Sequence, residues 1–185
     1  METKNVKDLM VPLEEYATVS HKATLYDAVL ALEKAQEEIE RKHTAYLHRA
    51  VLVYDDNKKI IGKISQLDIL TALEPKYNEM GQSRAMSRVA FSPQFLKSML
   101  EQYSLLPDSF EDTCIKAKNI NVAKIMYTPS EGEYVDENTS LREAIHQFIM
   151  GHHQSLLVTC EGDIVGVLRL TDLFKAVFQV MKTAV

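Results

Sequence analysis

The sequence predicts an α+β fold: two β-α-β-β-α units packed as a pseudo-two-fold pair, with a helical insert between them. Three observations lead there. The last stretch of the chain repeats the first: Val6-Lys7-Asp8-Leu9-Met10 is echoed by Val122-Ala123-Lys124-Ile125-Met126 at an offset of 116 (122 − 6). The same offset pairs Val19 with Val135, Leu25 with Leu141 and Ala28 with Ala144. Further on, Ile60-Ile61-Gly62-Lys63-Ile64-Ser65-Gln66-Leu67-Asp68 is echoed by Ile164-Val165-Gly166-Val167-Leu168-Arg169-Leu170-Thr171-Asp172, at an offset of 104 (172 − 68). A repeat of this kind decides the architecture before any single element does. It divides the chain into residues 1–75, an insert at 76–118, and residues 119–185.

Repeat one opens with a short strand at Tyr16-Ala17-Thr18-Val19. Thr24-Leu25-Tyr26-Asp27 has capping-box spacing and starts a helix. Leu25, Val29, Leu32 and Ile39 recur three or four apart, with Gln36 interrupting the face. Glu37–Arg41 and Glu38–Lys42 are i,i+4 pairs with the acid first, which suits a solvated surface. Ala50-Val51-Leu52-Val53-Tyr54 reads as a buried strand, Asp55 to Lys59 as a turn, and Lys59 to Ser65 as the partner strand of a hairpin. A helix follows and ends near Pro75.

Repeat two keeps this order. Glu133-Tyr134-Val135 is a strand, Ser140-Leu141-Arg142-Glu143 a second capping box, and Leu141, Ala144, Ile145, Phe148 and Ile149 a helix face. Ser155 to Thr159 and Ile164 to Leu170 form the hairpin about Glu161-Gly162-Asp163, and Asp172 to Lys182 is the closing helix. From Val29 to Val53 is 24 positions, but from Ile145 to Val158 is 13. Repeat one therefore carries 11 more residues between Glu33 and His48, roughly three helical turns. In the insert, Ser92-Pro93 pairs an N-cap with a first-turn proline. Phe95, Met99, Leu100 and Tyr103 form an apolar stripe, and Pro107-Asp108-Ser109 starts another helix through Lys118.

Composition bounds the function. A net charge of −5 and a pI of about 5.7 argue against a protein built to grip nucleic acid or an anionic membrane. No apolar run approaches the ~20 residues that span a bilayer, and the polar N-terminus has no signal-peptide core. A cytoplasmic location is expected. Cys114 and Cys160 are isolated, as reduced thiols would be. Adjacent His152-His153 point in different directions, poor geometry for one metal. No metal site, cofactor or catalytic constellation such as GxSxG, HExxH or a P-loop is expected.

With Val6 to Met10, Ile125 to Pro129 and the two G-x-hydrophobic-[ST]-x-x-D elements ending at Asp68 and Asp172, the chain resembles a tandem CBS domain pair, or Bateman module. The resemblance covers about residues 1–75 and 119–185. It implies a regulatory module that binds AMP, ADP, ATP or S-adenosylmethionine between the paired units and dimerises through its helices. It also implies that the motif Asp meets ribose hydroxyls and the Ser/Thr hydroxyl faces phosphate. Those positions are Asp68 and Ser65 in one site, and Asp172, with neighbouring Thr171, in the other. There the hydroxyl position is Arg169, a departure that either grips phosphate by charge or fills the cleft. Arg49 is the basic candidate before the equivalent strand.

The residues themselves permit this chemistry. A carboxylate accepts from two vicinal hydroxyls, and the helix that opens beside it offers free N–H groups to phosphate. Ser65-x-x-Asp68 also has the spacing of a plain capping box. The functional expectation is a homodimeric sensor acting in trans on an effector protein. The alternative is a ligand-free interaction module.

Overall fold

The computed structural model describes residues 4–41, 48–79 and 91–183. After a 3-10 turn at Val6–Asp8 come β1 (Val11–Pro12), β2 (Thr18–Ser20), α1 (Leu25–Arg41), β3 (Ala50–Tyr54), β4 (Ile60–Ser65), α2 (Gln66–Ala72) and α3 (Lys76–Glu79). The insert contributes α4 (Pro93–Gln102) and α5 (Phe110–Ala117). A 3-10 turn at Val122–Lys124, matching that at Val6–Asp8, leads to β5 (Tyr134–Asp136), α6 (Leu141–Gly151), β6 (Ser155–Cys160), β7 (Asp163–Arg169) and α7 (Leu170–Thr183).

Two small sheets result, ordered β2-β3-β4 and β1-β7-β6-β5. In each, the first strand of the unit runs parallel to the next and the hairpin is antiparallel. Both hairpins shift register at the same place, after Val53 and after Val158. The expected capping boxes form: Asp27 N donates to Thr24 Oγ1 at 3.2 Å and Thr24 N to Asp27 Oδ2 at 2.8 Å. Ser140 and Glu143 repeat the arrangement.

Some boundaries differ from the sequence reading. The first strands start at Thr18 and Tyr134, because the residues before them close 3-10 turns at Leu13–Glu15 and Glu131–Glu133. The closing helix starts at Leu170, whose N–H donates to Gln154 O at 3.0 Å. Helix α1 outruns α6 by six residues (17 − 11). The rest of the extra segment, with Lys42, falls outside the described residues, as do the side chains of Ile39 and Arg41.

The lead-in arms are exchanged between the repeats. Val6 is fully buried with Val135, Ala144, Phe148, Leu156 and Leu168 of repeat two. Val122 is fully buried with Val19, Ala28, Leu32, Val51 and Ile64 of repeat one. Backbone bonds fix each arm: Val6 N to Thr139 O (2.9 Å) and Val122 N to Ala23 O (3.0 Å). Each arm then crosses its host's hairpin at a glycine. A Cβ on Gly166 would sit 2.6 Å from Val11 O and 2.9 Å from Met10 Sδ, and one on Gly62 2.7 Å from Met126 Sδ. At Gly166 the close approach is to backbone, the carbonyl of Val11, whereas at Gly62 it is chiefly to the flexible Met126 side chain. A third cluster, Tyr16, Leu52, Leu157 and Val167, joins the two sheets.

The insert is tied to repeat one. Ala117 packs with Leu25 and Ala72. Buried Glu74 accepts from Leu106 N at 2.7 Å, and Tyr26 N donates to Lys118 O at 3.2 Å. Both insert helices start at the expected caps, Ser92 and Ser109.

Candidate ligand-binding clefts

In each repeat the second hairpin strand runs straight into a helix, so the motif aspartate sits in the helix's first turn. In the first cleft, Ser65 caps α2 and its Oγ accepts from Asp68 N at 3.2 Å. Asp68 Oδ2 in turn accepts from Ser65 N (2.7 Å) and Ser65 Oγ (2.6 Å). Both residues are half-buried. The helix cap is thus fully formed, and the ligand role that the resemblance implies would fall on a pair already engaged with each other. Arg49 stands at the same helix start, its carbonyl accepting from Gln66 N at 3.1 Å, with an exposed side chain.

The second cleft has the same backbone and different chemistry. The Arg169 guanidinium forks onto Asp172, Nε to Oδ2 and Nη2 to Oδ1, the latter at 2.8 Å. The two side chains are 13% and 15% exposed. Arg169 Nη1 also reaches His48 Nδ1 of repeat one at 3.4 Å. Thr171 is half-buried in the first turn of α7 beside this pair.

His48 is buried and packs its ring against Tyr16 with centroids 4.3 Å apart. Its Nε2 lies 3.1 Å from Glu15 O, an acceptor, so Nε2 carries the proton and Nδ1 presents a lone pair to Arg169. Burial first, then the Arg169 charge, hold His48 below the ordinary imidazole value. Burial likewise pushes the Tyr16 hydroxyl up to about 12.

One polar cluster escaped the sequence reading. Lys63 Nζ donates to Glu133 Oε2 and Tyr127 OH to Glu133 Oε1, each at 2.6 Å. Glu133 is almost wholly buried. Burial alone would raise its carboxyl, but the Lys63 ammonium and Tyr127 hydroxyl prevail and hold it at about 2. The signal was present in the repeat. The matching positions in the other copy are Val167, Ala17 and Val11, so three apolar residues are replaced together by a cation, an acid and a phenol.

Among the described residues no group of three or more His, Cys, Asp and Glu could hold a metal ion. Nor is any helix among them long and apolar enough to cross a membrane. Cys114 and Cys160 are free thiols. A cavity of about 310 Å³ lies apart from both clefts, between the end of α2 and the insert, lined by Leu73, Glu74, Leu106, Lys116 and Ile120 among others.

The family model for the CBS domain matches residues 6–75 and 122–179. The chain belongs to the CBS domain family. Its fold is that of CBS pairs: the CBS-pair protein CBSX2 from Arabidopsis thaliana superposes with a TM-score of 0.61 at 19% identity, over 98% of this chain and 99% of that one. CBSX2 in complex with AMP gives 0.52 at 18% identity, over 96% and 98%. The cytosolic domain of the Mg2+ channel MgtE in complex with ATP gives 0.56 at 18% identity, over 95% of this chain and 49% of that one. None of the curated proteins is significantly similar to the chain in sequence. CBS pairs are typically regulatory, non-catalytic modules, and no enzymatic family is indicated.

Proposed function

We propose that this CBS pair is a regulatory receptor for an adenosyl ligand, AMP, ADP, ATP or S-adenosylmethionine, held between the repeats. It acts in the cytoplasm as a homodimer, on an effector protein in trans. The observation that carries the reading is the placement of Asp68: a half-buried carboxylate at the strand-to-helix junction of a cross-packed pair, in a fold whose solved members include one with AMP and one with ATP. Asp68 supplies acceptors for the ribose hydroxyls. The opening of α2, with Ser65 and Arg49 beside it, offers N–H groups and a cation to phosphate. Ligand binding favours one arrangement of the repeats over another, and the effector reads the difference.

Calorimetric titration with AMP, ATP and S-adenosylmethionine tests this. Asp68→Asn keeps the side chain's size and removes its charge. It should weaken binding ten- to a hundredfold, on the order of 1.5–3 kcal/mol. A second reading, a ligand-free interaction module, is favoured by the internal engagement of Ser65 with Asp68. It predicts no heat with any of the three ligands from a folded wild-type protein.

A further inference from the structure

The two clefts present the same carboxylate in different states of use. Asp68 spends one oxygen on the helix cap, since Ser65 N and Ser65 Oγ both donate to Oδ2. Among the described residues nothing donates to Oδ1. Asp172 spends both oxygens on the Arg169 guanidinium. A ribose presents two adjacent hydroxyls, which Asp68 can meet with an oxygen that carries no other bond, whereas at Asp172 both oxygens already accept from the guanidinium. To reach Asp172 it would have to displace a two-pronged, charge-assisted pair of which little is exposed.

The guanidinium is also held from behind. Its third nitrogen meets His48 Nδ1, and His48 is fixed by Glu15 O, by the Tyr16 ring, and by Gln36 Nε2, which donates to the His48 carbonyl at 2.7 Å. Gln36 is the first residue of α1 beyond the length of α6. The helical extension of repeat one thus helps close the second cleft.

We propose that the chain is a one-site receptor: the cleft at Asp68 takes the adenosyl ligand, and the cleft at Asp172 is stoppered by Arg169. This rests on the nucleotide reading given above. Arg169 replaces the hydroxyl residue of the first cleft with a side chain that occupies the ligand's place at the carboxylate. The two repeats have divided their labour, one for binding and one for holding the seam between Arg169 and His48.

Titration calorimetry with AMP and ATP counts the sites. Wild type should bind one molecule per chain, and Asp68→Asn should weaken that binding ten- to a hundredfold. Arg169→Ser restores the residue type of the first cleft and should raise the count to two. The double variant D68N/R169S should bind one, at Asp172. Wild type binding two molecules per chain, or Asp68→Asn retaining one at unchanged affinity, overturns the one-site assignment while leaving the receptor reading intact. No binding of AMP, ATP or S-adenosylmethionine by wild type overturns both. Should Arg169→Ser fail to fold by circular dichroism, the wild-type count and the weakening in Asp68→Asn still decide the matter. An Arg169→Ser protein that folds and binds only one molecule refutes the stopper.

Discussion

Lys63, Tyr127 and Glu133 show how a single substitution site becomes three. Lys63 sits on β4 directly opposite Leu52, a member of the cluster that joins the two sheets. An ammonium there needs a counter-charge, and Glu133 supplies it from the other repeat, with Tyr127 satisfying the remaining oxygen. Because Glu133 is held at about 2 against an ordinary 4.5, its contribution is complete above pH 4.5. That contribution drains away as pH falls from 4.5 towards 2, and the gap is worth roughly 3 kcal/mol. Urea denaturation at pH 6 and pH 3 should show this loss in wild type and a smaller one in Glu133→Gln. Lys63→Met strands a buried carboxylate and should cost about 3–5 kcal/mol. Replacing all three with their counterparts (K63V, Y127V and E133A) should return stability to within about 1 kcal/mol of wild type or above it. A near-neutral Lys63→Met would show that the ion pair contributes nothing.

At the scale of elements, the glycine of each hairpin makes the sharpest comparison. At Gly166 an added methyl meets the carbonyl of Val11, fixed in β1 by its pairing with β7. At Gly62 the nearest atoms belong to the flexible side chain of Met126, with Tyr127 O at 3.2 Å. Gly166→Ala should therefore destabilise by about 2–3 kcal/mol and Gly62→Ala by about 1 kcal/mol, measured by chemical denaturation. Equal costs would mean the arms are not held as described. The elements themselves were largely legible in the sequence. Capping boxes at Thr24, Ser140 and Ser65, the caps at Ser92 and Ser109, and both hairpins carry short-range signals that tertiary packing has no reason to override. The strand starts were misjudged because Tyr16 and Glu133 are apolar-patterned or buried for reasons outside their own sheet ladder. Tyr16 packs on His48, and Glu133 answers Lys63, 70 residues away.

At the scale of the whole molecule, the helices that follow each hairpin carry part of the exposed apolar surface, as the insert does with Phe95, Leu96, Phe110 and Ile115. On α7, Leu170, Phe174, Phe178 and Met181 recur four, four and three apart and are 36–69% exposed. On α2, Leu67 and Leu70 are 69% and 59% exposed. Such faces suit the homodimer proposed above. Phe174→Glu combined with Phe178→Glu should convert the dimer to a folded monomer in sedimentation velocity, and a dimer that persists would place the interface elsewhere. At this scale the sequence was least informative. The repeat told that two units exist and raised the expectation of sites where they meet. It was silent on which arm serves which core, because Val6 and Val122 have the same pattern whether they pack at home or abroad. Arg169 was visible as a departure, but its two possible roles differ only in which acceptor lies within its reach.

The exchange of arms bears on how such a chain arises. Each unit here seats its arm on the other body and has its groove filled by the other's arm, so a single unit packed in this way would lack both. Its simplest complete state is two copies, each lending an arm to the other. Joining two copies end to end makes that loan permanent and removes its dependence on concentration. Once joined, the copies no longer need to be alike. One can keep a cleft built around a hydroxyl and a carboxylate while the other turns the same place into a fastening, as Ser65 and Arg169 have done.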